Sequence, residues 1–216
     1  MFIGQFAVAF AGKKVAPKVS LGVLFLAAQF LDVLWPIFAL LGIEHFRIVA
    51  NITEVSPFDF YDFPLSHSLI MTLVWAVGFG LIYFIAKGNA KASGVLCALV
   101  LSHWFLDLVV HRKDLPVFLN GPYWGWGLWN SKIGTLLVEF GLLAIGAWIY
   151  KACTKPKDSV GDWLFYGLVF VLAAFYVVRL QMPTPSDTTM VAWSEIIVIW
   201  GFIAWGAWSD HFREAA

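Results

Sequence analysis

Apolar residues dominate this chain in long stretches, and polar residues gather in the short segments between them. Five stretches approach or exceed the roughly 20 residues that a helix needs to cross a hydrocarbon core: residues 19–43, 67–86, 92–111, 133–150 and 160–181. A sixth, residues 190–208, is apolar apart from Glu195. The opening MFIGQFAVAFA is too short to span and has no basic residue ahead of its apolar run, so it reads as a short helix dipping into the bundle, not a cleaved signal. Two longer connections, residues 45–66 and 112–130, hold Pro, Gly, Asn and many aromatics without regular periodicity, a pattern of lids or binding loops. The pattern predicts an all-α, polytopic membrane helical bundle. It has about six transmembrane helices plus a short N-terminal helix, in one domain covering residues 1–216.

Composition agrees. The chain is 61% hydrophobic and 13% charged, with a mean hydropathy of +0.80, where a soluble domain carries about 25% charged residues. Its 12 Trp and 20 Phe suit helix packing and membrane interfaces. The formal net charge of zero gives no support to a nucleic-acid partner. Cys97 and Cys153 lack metal or disulfide spacing and read as inert.

Basic residues set the expected orientation. Lys13, Lys14 and Lys18 precede the first span, Lys87 and Lys91 follow the second, and Lys151, Lys155 and Lys157 follow the fourth, which places these segments and both termini on the cytoplasmic side. The alternate loops then face outward. In that frame Asp32, His67, His103, Asp107, His111, Glu139, Arg179 and Glu195 all fall in the outer leaflet. A charge at membrane depth costs roughly 2.5–3.5 kcal/mol on insertion scales, so these groups are expected to face one another or a wet cavity open to the outer side.

LSHWFLDLVVHRKDL carries the sharpest signal. Residues four apart on a helix differ by about 40° around the axis and lie about 6 Å apart, so His103 and Asp107 project from one stripe toward a single ion. His111 lies about 12 Å from His103 on a straight helix, which suits a second ion, a substrate or an outer position. Imidazole and carboxylate together suit Zn²⁺, with Mn²⁺, Fe²⁺ or Ni²⁺ as alternatives. In FDFYDFPLSHSL, Pro64 ends a loop, Ser66 is placed to cap a helix and His67 enters its first turn. Trp124, Trp126 and Trp129 sit in the second long loop, as a lid or as interfacial anchors.

The stretches SLGVLFLAAQFLDVLWP, FPLSHSL, LSHWFLDLVVHRKDLP and GLWNS resemble a family of small bacterial inner-membrane proteins described as predicted membrane-bound metal-dependent hydrolases, the YdjM-like proteins. The resemblance covers the first 150 residues or so, and the last two spans are additional. It implies Asp32, His67, His103 and Asp107 as metal ligands, with His111 close by. Such proteins usually open with a histidine in a GHFAVG-like segment, and this chain reads GQFAVAF, so Gln5 stands at that ligand position. An amide oxygen is a poorer zinc ligand than imidazole.

Two functions follow as expectations. In the first, a divalent metal, zinc foremost, serves hydrolysis of an ester or phosphoester in a lipid or lipid-linked substrate, with His111, Glu44 or Glu139 relaying protons. In the second, the chain is a non-catalytic accessory subunit of a larger membrane protein complex and keeps a structural or vestigial metal site. Ion transport is disfavoured because the inner half of the bundle has no matching polar residues.

Overall fold

A computed structural model describes residues 1–216, and helices occupy the apolar stretches. Five of them, α5 (Leu69–Lys87), α6 (Ala90–Val110), α7 (Lys132–Cys153), α8 (Ser159–Arg179) and α9 (Thr188–His211), are each long and apolar enough to cross a membrane. Each begins at a polar residue whose side chain accepts a backbone N–H of the first turn, the usual way to satisfy donors that lack an intrahelical partner. These caps are Ser68, Asn89, Ser131, Asp158 and Asp187.

The first apolar stretch is not one straight span. It divides into α2 (Leu21–Ala28) and α3 (Phe30–Leu40), bent by 58° at Gln29. Two polar groups at the bend are engaged by other helices: the Gln29 amide donates to the Phe2 carbonyl at 3.4 Å, and the Ala28 carbonyl faces His103 Nδ1 at 2.7 Å. Pro36 inside α3 lacks the N–H that would bond the Asp32 carbonyl, which weakens the same turn. The bend turns Asp32 toward α6.

The N-terminal stretch forms α1 (Ile3–Val15), inserted into the bundle and packed on α2, α6 and α7. Ile3, Phe6, Ala9 and Phe10 are fully buried, and Phe25 meets Phe6 and Phe10 edge to face at 4.9 and 5.0 Å. α1 and α7 approach closely because Gly146 has no side chain: a Cβ there would lie 2.2 Å from the Ala7 carbonyl oxygen. At the far end of α1, Lys13 is buried against Asp210, with Nζ to Oδ2 at 2.6 Å, and Tyr150 donates to the other oxygen at 2.8 Å.

The two long connections hold small β-ribbons where no regular periodicity was expected. In the first, β1 (His45–Ile48) pairs antiparallel with β2 (Phe58–Asp62), followed by the single turn α4 (Pro64–His67). Its register sets Arg47 opposite Asp59, and Arg47 Nε bonds that carboxylate at 2.7 Å. In the second, β3 (Leu115–Pro116) pairs with β4 (Tyr123–Trp124) ahead of a 3₁₀ turn at Leu128–Asn130. A third ribbon, β5 (Thr154–Pro156) with β6 (Arg213–Ala215), ties the ends of α7 and α9 together at the opposite end of the molecule. Trp35, Phe46, Phe60, Phe63, Trp104, Leu115, Val117 and Val191 form an apolar cluster that packs the first two ribbons onto the helix ends.

Candidate metal centre

α3, α4 and α6 bring Asp32, His67 and His103 together. Each offers one ligand atom, and the three atoms lie within 4.8 Å of one another, a group that could hold a metal ion. Asp107, one turn further along α6, lies beside that group, its Oδ2 3.2 Å from His103 Nε2.

The spacings have a chemical meaning. Asp32 Oδ1 lies 3.5 Å from His67 Nε2 and 3.7 Å from His103 Nε2. Asp107 Oδ2 lies 3.2 Å from His103 Nε2, 3.7 Å from His67 Nε2 and 3.9 Å from His111 Nε2. Most of these separations exceed a good hydrogen bond. With metal bonds of about 2.0–2.1 Å, donor atoms on a tetrahedron are roughly 3.3–3.4 Å apart, which is close to what is found.

Each imidazole is held by its other nitrogen. His103 Nδ1 faces the Ala28 carbonyl at 2.7 Å, and a carbonyl only accepts, so the proton is on Nδ1. His111 Nδ1 faces the Asp114 carboxylate at 3.0 Å, with the same consequence. His67 Nδ1 lies 2.8 Å from Ser66 Oγ, whose own proton goes to Glu44 Oε2 at 2.6 Å, so His67 donates here too. Rings held this way all turn Nε2 toward the carboxylates, and a ring that is neutral presents a lone pair there. Lone pairs facing lone pairs repel unless a cation or an added proton lies between them, and the donor set suits a borderline divalent ion.

Gln5 is fully buried beside the cluster. Its Nε2 lies 3.0 Å from His103 Nε2 and donates to Asp107 Oδ1 at 3.1 Å, an oxygen that also takes the Met1 amine. Its Oε1 has no hydrogen-bond partner. Exchanging the amide's O and N would turn that orphan acceptor toward His103 and Asp107, where a cation would satisfy it. Asp32, His67 and His103 themselves form a donor set that could hold a metal ion.

The other residues singled out in the sequence are placed as follows. His111 is the C-cap of α6, which ends at Val110; its N–H still bonds the Asp107 carbonyl, and its Nε2 lies 3.9 Å from Asp107 Oδ2, the helical neighbour four residues back, outside the group of Asp32, His67 and His103. Glu44 does not touch the cluster. It is buried, and accepts Ser66 N–H at 2.7 Å and Ser66 O–H at 2.6 Å. Burial pushes its carboxyl above the usual range, against the pull of those two bonds. Ser66 is thus not the cap of the following span; Ser68 takes that place, and His67 closes α4 ahead of it. Glu139 accepts the Phe2 and Gly4 N–H groups at 2.9 and 2.7 Å, capping α1 from 135 residues away or more. Arg179 and Glu195 pair with each other apart from the cluster, the guanidinium resting over the Phe2 ring.

Aromatic rings cover His111. Trp129 is centred 4.5 Å from it, Phe60 5.5 Å and Phe63 5.9 Å. Trp129 thus covers the cluster's edge, whereas Trp124 and Trp126 are exposed as anchors would be. Asp32 is the most accessible member of the cluster, its side chain 19% exposed against 4% or less for the others. On the outside, Asp114 carries His111 to a surface cleft of about 550 Å³ lined in part by Asp59, Tyr61, Arg112, Lys113 and Tyr123. Sequence reading missed Ser66 and Asp114 as partners of the histidines; HRKD, with its acid three residues after the histidine, was the available signal for the second.

Comparison of the chain with protein-family models, with curated proteins and with solved structures finds no match.

Proposed function

We propose that the protein is a membrane-embedded, metal-dependent hydrolase of the bacterial inner membrane, acting on an ester or phosphoester of a lipid or lipid-linked molecule. One observation carries this reading: imidazole Nε2 atoms and carboxylate oxygens from three separate helices converge at the spacing of ligands about one cation. Asp32, His67 and His103 would hold the metal, with Asp107 facing it and Gln5 beside it. A divalent cation held there supplies a Lewis acid for an ester or phosphoryl oxygen and makes bound water more acidic. The lysine distribution supports a site on the extracytoplasmic side, and the cleft with Arg112 and Lys113 suits a polar headgroup there.

Of the three candidate proton carriers, Glu44 and Glu139 have both oxygens occupied by protein donors. His111 alone directs a ring nitrogen at the cluster, with Asp114 fixing its tautomer. Its assigned work is to hold and pass a proton at Nε2. Replacing His111 with asparagine is expected to lower turnover about 10²–10⁴-fold while the metal content stays at the wild-type level. Parallel metal analysis and a turnover assay check this, and an unchanged rate would remove His111 from the chemistry.

The test of the whole reading is metal analysis of natively purified protein, joined to hydrolysis assays on ester and phosphodiester lipids in vesicles. Near-stoichiometric divalent metal with chelator-sensitive cleavage is expected. Metal without cleavage supports the second reading, an accessory subunit. A specific observation favours that alternative: the Gln5 amide already donates to Asp107 Oδ1 at 3.1 Å, so a carboxylate beside the group is engaged by the protein itself. Protein with neither metal nor activity contradicts the hydrolase.

A further inference from the structure

We infer that Glu44 is a positioning residue that acts through the Ser66 hydroxyl to keep the His67 proton on Nδ1 and so present the Nε2 lone pair to the cluster. The inference rests on the proposed metal site for its consequence, and on hydrogen-bond direction for its substance.

Glu44 is 2% exposed and Ser66 fully buried, so neither exchanges its partner for water. Glu44 Oε1 accepts the Ser66 backbone N–H and Oε2 accepts the Ser66 O–H. A hydroxyl has one proton. Once Ser66 gives it to a carboxylate at 2.6 Å, in preference to the Phe63 carbonyl at 3.4 Å, its oxygen offers only lone pairs to His67 Nδ1 at 2.8 Å. His67 must therefore donate from Nδ1. The Phe63 ring, centred 5.1 Å from that of His67, helps hold its orientation.

The relay also explains why a buried carboxylate is placed at residue 44. Residues 44 and 66 bracket the β1–β2 ribbon, so closing that ribbon delivers the carboxylate to the serine beside the ligand. Cluster geometry and loop closure are thereby joined.

Glu44→Gln tests the direction of the chain with almost no change of shape. The Ser66 N–H still needs an acceptor, so Gln Oε1 takes that place and Gln Nε2 faces Ser66 Oγ as a donor. Ser66 is then released to give its proton to His67 Nδ1 at 2.8 Å, a shorter contact than the Phe63 carbonyl at 3.4 Å, and the ring's own proton is expected to move to Nε2. The direct readout is ¹⁵N NMR of the His67 ring in metal-free protein above the histidine pKa. The wild type is expected to give the Nδ1–H pattern and Glu44→Gln the Nε2–H pattern. Zinc affinity by chelator competition should fall about 10–100-fold in the variant, the usual effect of altering a ligand's outer partner. A wild-type His67 protonated on Nε2 overturns the inference, and that measurement needs no variant. An unchanged tautomer in Glu44→Gln overturns it equally. Wild-type protein that binds no zinc but shows the tautomer reversal would remove the metal reading and leave the relay standing.

Discussion

Asp107→Asn is expected to weaken metal binding about 10–100-fold, the range typical of changes to groups that support the ligands. Asp107 Oδ2 lies 3.2, 3.7 and 3.9 Å from the Nε2 atoms of His103, His67 and His111. It is the one oxygen all three rings share. Asparagine keeps the shape but removes the charge, and its amide can at best place a neutral oxygen or an N–H there. His103→Ala removes a fully buried imidazole from the three residues that would hold the metal and should weaken binding further, by more than about 100-fold. Asp62→Asn is the control, because Asp62 pairs with His45 on the exposed ribbon, far from the cluster in character and burial. Chelator competition on the purified variants measures these affinities. Wild-type affinity in Asp107→Asn would mean that the carboxylate serves packing alone.

Glu139→Leu should cost the fold several kcal/mol without touching a ligand. The carboxylate accepts two N–H groups of the first turn of α1, both buried and without intrahelical partners. Each orphaned donor costs about 1–3 kcal/mol. α1 also places Gln5 beside His103, so loosening its first turn disturbs the cluster indirectly. Thermal unfolding in detergent and amide exchange at residues 2–6 should both report the loss. Wild-type exchange there would show that α1 is held by its apolar packing alone. Glu139 was a candidate for proton relay by its depth; its bonding instead gives it the work of a helix cap.

The spans were legible because a helix in lipid must be apolar for about 20 residues, a signal that survives local irregularity. The stripe of His103 and Asp107 was legible for a similar reason, since α6 is regular through both residues. The bend at Gln29 was not, because the run is apolar on both sides of it and the polar groups at the bend find their partners on α1 and α6. The alternation in FDFYDF was a strand signal at hand, but its partner HFRI is short and the register depends on the Arg47 and Asp59 pair. Glu44 to Ser66 and Glu139 to α1 are contacts across 22 and at least 135 residues. No local pattern carries those.

One cation is proposed to gather these side chains. Anomalous diffraction from crystals of natively purified protein, collected on both sides of the zinc edge and those of manganese, iron and nickel, addresses it directly. One strong anomalous peak is expected about 2 Å from Asp32 Oδ1, His67 Nε2 and His103 Nε2, with Gln5 Oε1 turned toward it. A map with no peak there, and with Gln5 Nε2 still bonded to His103 and Asp107, would rule out the cation and leave the cluster a hydrogen-bonded lock between helices.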